Sequence, residues 1–142
     1  QEAVQKYRLL HEHIANQRKD FIHKESRRIA NAWDAVCARA DDLTELAREM
    51  PQSNLKNAGF GMFRACLRYK LERQGKSLIA VDRYFPSTRT CSACGTVRDA
   101  VSHKENSWRC PKCGAVHNRE INAAKNIKAQ GLVQCFETSG RR

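Results

Sequence analysis

The chain has 142 residues, a formal charge of +11 and a pI near 9.7. That length allows one modest domain with a small satellite, and a charge of that size favours polyanionic partners. No apolar run approaches the ~20 residues of a bilayer span, which excludes a membrane-spanning helix from this sequence.

From Glu2 to about Trp33, apolar residues recur at Val4, Tyr7, Leu10, Ile14, Phe21, Ile22, Ile29 and Trp33, with Arg and Lys between them. The spacing predicts one long amphipathic helix. His11, His13 and His23 fall on its basic face and read as surface residues. The small-apolar run Ala35–Ala40 reads as a buried strand, with Asp41 and Asp42 at its C-terminal end. Ser53 is then a plausible N-cap for a helix reaching about Gln74, with Leu55, Phe63, Leu67 and Leu71 on one face and Gly75 as its stop. Arg64, Arg68, Lys70 and Arg73 make this helix densely cationic and suited to a nucleic-acid backbone. Residues 77–85 alternate as a second strand, bounded by Pro86. The last helix starts near Asn118, buries Ile121, Ala124 and Ile127, and stops at Gly131.

Seven cysteines divide into two C-x-x-C pairs and three scattered thiols at Cys37, Cys66 and Cys135. That pattern fits a reducing, cytoplasmic compartment, with one metal site and ordinary thiols. Cys91-Ser-Ala-Cys94-Gly and Cys110-Pro-Lys-Cys113-Gly are fifteen residues apart, inside the window of a zinc ribbon. Two residues between cysteines let both thiolates reach one ion at ~2.3 Å, and four thiolates leave no open position for water. The zinc is therefore structural, and His103 and His117 stay outside the ligand set. Between the knuckles, Lys104, Trp108 and Arg109 form a basic loop with one ring, fit for stacking on single-stranded nucleic acid or for packing on the ribbon.

Together, "HEHIANQRKDFIHKESRRIA", "DDL", "YK", "VDRYFPSTRTCSACG", "CPKCG" and "NREINAAKNI" resemble, in order and spacing, the TnpB/OrfB proteins of bacterial transposons. These are relatives of compact type V CRISPR effectors. The resemblance implies an RNA-guided DNA endonuclease of the bacterial cytoplasm, with DNA target and guide RNA as partners, no membrane role, and an oligomeric state left open. It implies an α/β fold: a partial RuvC or RNase H-like core of long helices and few strands, with an inserted zinc ribbon. On that frame residues 1–85 belong to the core, 86–117 to the ribbon and 118–132 to the final core helix, leaving 133–142 as a disordered tail.

The family cuts with three acids and Mg²⁺, so the resemblance assigns Asp41 and Glu120 as two catalytic magnesium ligands. The strand bearing the first acid is missing, so this chain alone is expected not to cut. The sequence departs from the family at both remaining acids. The family's E-D-L reads Asp41-Asp42-Leu43, and its R-D-x-N-A-A reads Arg119-Glu120-Ile121-Asn122-Ala123-Ala124. Each exchange keeps the charge and moves the carboxylate by about an ångström, a displacement that can cost on the order of a hundredfold in rate. Impaired cleavage follows from that. The alternative is a nuclease-dead relative or fragment that still holds zinc and nucleic acid, acting as a guided repressor. A zinc ribbon that assembles only with protein partners is the blandest reading.

Overall fold

The computed structural model describes residues 1–41, 59–100, 102 and 104–139. The expected cap Ser53, and with it Leu55, Asp42 and His103, lie outside these. The chain separates into two units, residues 1–35 with 42–78 and residues 36–41 with 79–142.

The first unit is built on α1 (Glu2–Ala32) and α2 (Phe60–Arg73). At 1.5 Å per residue, α1 is about 46 Å long. It buries only Ile22, Ser26 and Ala30, one residue per turn, of which two are small enough for close approach by a second helix. Opposite them α2 buries Cys66, Leu67, Lys70 and Leu71. The expected apolar stripe is therefore used only in its C-terminal half, and Val4, Tyr7, Leu10, Ile14 and Phe21 are exposed.

A buried cation crosses the α1–α2 seam. Lys70 Nζ donates to His23 O at 2.6 Å and to Ser26 Oγ at 2.7 Å, while Ser26 Oγ donates to Ile22 O. Lys70 is thus turned inward, contrary to its expected place on the phosphate-gripping face. His23 is likewise half-buried rather than on the surface, with Nε2 4.0 Å from Cys66 Sγ. At the end of α2, Lys76 N–H bonds back to Leu71 O and Gly75 N–H to Glu72 O, closing the helix where the sequence placed its stop. Lys76 Nζ meets Ala30 O at 2.7 Å, putting a positive charge on the last turn of α1.

Strands β1 (Ala35–Arg39) and β2 (Ser77–Val81) pair as a two-stranded sheet. The second unit adds the hairpin β3 (Ser107–Arg109) with β4 (Val116–Asn118) and the helix α3 (Arg119–Ser139). The hairpin is antiparallel, with Trp108 opposite His117. Helix α3 runs through Gly131 to Ser139, so this glycine is not a stop, and residues 133–139 continue the helix instead of fraying. Its role is close approach: a Cβ at Gly131 would stand 2.6 Å from Cys37 Sγ and 2.9 Å from Cys37 Cβ. A mid-helix glycine costs about 1 kcal/mol against alanine, and here it lets α3 lie directly on β1. Among the described residues no helix is long and apolar enough to cross a membrane.

Candidate metal centre

Both knuckles fold alike. Gly95 N–H bonds to Cys91 O and Cys91 N–H to Thr96 O; Gly114 N–H bonds to Cys110 O and Cys110 N–H to Ala115 O. Gly95 and Gly114 both have φ of 75°, a left-handed conformation that penalises any side chain. These turns bring the thiols of Cys91, Cys94, Cys110 and Cys113 within 4.8 Å of one another. Cys91 and Cys113 sulfurs are 3.6 Å apart, and those of Cys94 and Cys110 are 3.7 Å apart. Four ligands at 2.3 Å on a tetrahedron have edges of about 3.8 Å, so these two sulfur pairs already have the spacing of a thiolate-bound metal such as zinc, and the whole set lies within 4.8 Å.

The thiols differ in their readiness to ionise. Hydrogen bonding from Thr96, side chain first and then backbone, holds Cys94 down at about 6. Cys110 is also lowered, chiefly by the backbone of Cys113. Cys113 moves the other way, to about 12: the Ala115 amide favours its thiolate, but burial and the thiols of Cys94, Cys110 and Cys91 outweigh it. Four sulfurs this close cannot all carry negative charge without a cation between them, and a divalent metal supplies it.

Around the cluster, His117 Nε2 lies 3.1 Å from Cys91 Sγ. The histidine is thus a hydrogen-bond partner of one sulfur and leaves the four-thiol set complete. Trp108, opposite it in the hairpin, is 4% exposed, with its ring centroid 4.8 Å from that of His117 and Arg98 over its face at 5.2 Å. Of the two uses the sequence allowed this ring, packing on the ribbon is the one realised; it is not presented for stacking on a base. Lys104 and Arg109 remain exposed, and Arg109 Nη1 donates to Gly114 O.

Helix α3 begins where the hairpin ends. Asn118 Oδ1 accepts the N–H groups of Glu120 and Ile121 at 3.1 Å each, which makes Asn118 the N-cap. Glu120 occupies the first turn, exposed, held by Arg119 at 2.7 and 2.9 Å. Asp41, just beyond β1, is half-buried and accepts from Arg39 Nε at 2.7 Å. Among the described residues only the four cysteines gather three or more possible metal-ligand atoms, so Asp41 and Glu120 stand outside any such group.

The buried face of α3 is polar. Ile121 is 59% exposed and Ala124 exposed, contrary to expectation, while Asn122, Ala123 and Asn126 are buried. Asn126 Nδ2 donates to Ser87 O at 2.8 Å and to Thr90 O at 2.7 Å. Asn122 Nδ2 donates to Thr90 O at 2.7 Å, and its Oδ1 accepts Ser92 N–H at 2.9 Å. Two amides thereby pin the start of the first knuckle to the helix that opens on Glu120.

Three comparisons place this architecture. The family model of the Cas12f1-like TNB domain matches residues 60–127. A Streptomyces pristinaespiralis protein named "Putative RNA-guided DNA endonuclease" is 38% identical over 138 residues, 92% of this chain and 32% of its own length. The TnpB-like protein L79 of Acanthamoeba polyphaga mimivirus is 30% identical over 88% of this chain and 25% of its own. The chain belongs to the TnpB family. A cryo-EM structure of a Cas12f1–sgRNA–target DNA complex matches with a TM-score of 0.62 at 25% identity, covering 84% of this chain and 35% of that one, in keeping with the mixed α/β fold. The chain spans about a third of the length of the first of these relatives.

Within that family frame, the expected basic residues of α2 divide. Arg68 and Arg73 are exposed, Arg73 over the Tyr69 ring at 5.3 Å; Arg64 is half-buried; Lys70 is spent on α1. Sequence reasoning missed the part played by Asn122, Asn126 and Gly131. Asparagines at i and i+4 in a helix were the available signal for the first two.

Proposed function

We propose that the chain is the C-terminal part of a transposon-encoded, RNA-guided DNA endonuclease, bearing one structural zinc and two of three acidic ligands for magnesium. The observation that carries this reading is the 38% identity, along 92% of the chain, to a protein named a putative RNA-guided DNA endonuclease. Zinc suits the four thiolates and closes the ribbon. Carboxylates are the hard oxygen donors that Mg²⁺ takes, and Asp41 and Glu120 would hold it. Bound there, magnesium supplies polarisation of the attacking water and stabilisation of the leaving oxygen. Asp41 is paired with Arg39 and Glu120 with Arg119, so each carboxylate has a guanidinium beside it. Arg64, Arg68 and Arg73 on α2, and Lys104 and Arg109 on the ribbon, neutralise phosphates of guide and target.

The test adds guide RNA, Mg²⁺ and a labelled duplex to the protein extended by the upstream segment that carries the first acid. Cleavage that disappears with Glu120→Ala supports the enzyme. A second reading, a guided DNA-binding protein without nuclease activity, is favoured by the shortened acid at 41 and the lengthened one at 120. Guide-dependent binding without product would establish it.

A further inference from the structure

Two thiols outside the metal cluster lie at the contact of α3 with β1, close enough for one to bear electrostatically on the other. Cys37 lies over Gly131, where the missing side chain leaves its sulfur against the helix backbone. Cys135 is four residues further along the same helix, one turn of about 5.4 Å, on the same face. Lys128 occupies the neighbouring turn on the other side. Cys37 is sensitive to both: burial pushes its thiol up, Cys135 adds to that, and Lys128 opposes it. Cys37 is half-buried and Cys135 exposed.

We propose that Cys37 and Cys135 form an oxidation-sensitive pair, closed by hydrogen peroxide into a disulfide that ties the end of α3 to β1. The exposed Cys135 reacts first. Its thiolate attacks one peroxide oxygen, the O–O bond breaks, and hydroxide leaves to take up a proton as water. The Cys135 sulfenic acid is then attacked by the Cys37 thiolate; the S–S bond forms, the S–O bond breaks, and a second water departs. Two electrons pass from sulfur to peroxide, and both thiol protons end in water. Cys37 is the resolving thiol because it is half-buried and shielded from peroxide in solution, and it loses its proton as it attacks. The four ribbon cysteines are protected from this chemistry while metal-bound. The bond would join the strand leading to Asp41 to the helix that begins at Glu120, yet its formation requires neither acid to bind magnesium.

The test treats the zinc-loaded 142-residue chain with one equivalent of hydrogen peroxide, alkylates remaining thiols, and maps peptides without reduction. The expected result is a linked Cys37–Cys135 peptide pair, two hydrogens lighter than the separate peptides, with both thiols lost to alkylation in step while Cys66 still alkylates. In Cys37→Ser, Cys135 should accumulate as a sulfenic acid trapped by dimedone. Wild-type protein that instead yields oxidised Cys135 beside a fully alkylated Cys37 overturns the proposal. So does a Cys135 linkage formed only between two copies of the chain.

Discussion

Asn122 and Asn126 should be energetically coupled, because they share Thr90 O as an acceptor and, more loosely, Ser87 O. Replacing Asn122 by Ala orphans the Ser92 N–H, whereas Thr90 O keeps its bond from Asn126. Replacing Asn126 leaves Ser87 O with only the 3.5 Å contact from Asn122, while Thr90 O keeps that residue's 2.7 Å bond. An orphaned buried group costs about 1–3 kcal/mol, so each single substitution should cost about 2 kcal/mol. Only the double substitution strips Thr90 O of both amides. Its cost should exceed the sum of the singles by about 1 kcal/mol, within the range found for residues that share partners. Urea unfolding of the zinc-loaded wild type, both single variants and the double variant closes the cycle. Additive costs, or single costs below about 0.5 kcal/mol, would refute the pinning of the ribbon to α3.

Gly131→Ala should destabilise the protein in thermal melts even though alanine is the better helix former by about 1 kcal/mol; the added methyl has no room against Cys37. A gain in stability would mean that α3 does not lie on β1 as described. Burial holds the Lys70 ammonium below the ordinary lysine value. The unfolded chain therefore binds more protons above that depressed folded value, and unfolding free energy should rise with pH up to about 10.5, a slope that Lys70→Met removes. An unchanged slope would count against a buried cation. Arg68→Ala and Arg73→Ala should each lower the salt dependence of nucleic-acid binding by about one unit of slope, and Lys70→Met should leave it unaltered. Cys110→Ser should abolish metal retention and the β3–β4 hairpin with it, measured by metal content and by exchange of the Trp108 and His117 amides; a folded hairpin without metal would contradict the coupling.

Periodicity located α1 and β1 almost to the residue, although only the C-terminal half of the α1 stripe is used and β1, expected to be buried, is at most half-buried. The knuckles were equally legible, since cysteine spacing encodes metal geometry directly. Helix α3 misled that reading for a physical reason. Its first turns pack on backbone carbonyls of the ribbon through Asn122 and Asn126, so amides stand where apolar residues were expected, and hydrophobic spacing selected Ile121 and Ala124 on the wrong side. Gly131 resembled a stop because the signal for termination and the signal for close contact are the same missing side chain. Lys70 turned inward because Ser26 and a helix carbonyl offered a polar lining that no pattern along α2 reveals. Trp108 was read both ways, and hairpin register, which sets it beside His117, decides for packing.

The most direct test of the metal centre is X-ray absorption at the zinc edge on the loaded chain. The account predicts one zinc per chain with four sulfur neighbours at about 2.3 Å and no nitrogen. A shell of three sulfurs and one nitrogen would put His117 in the ligand set and contradict it.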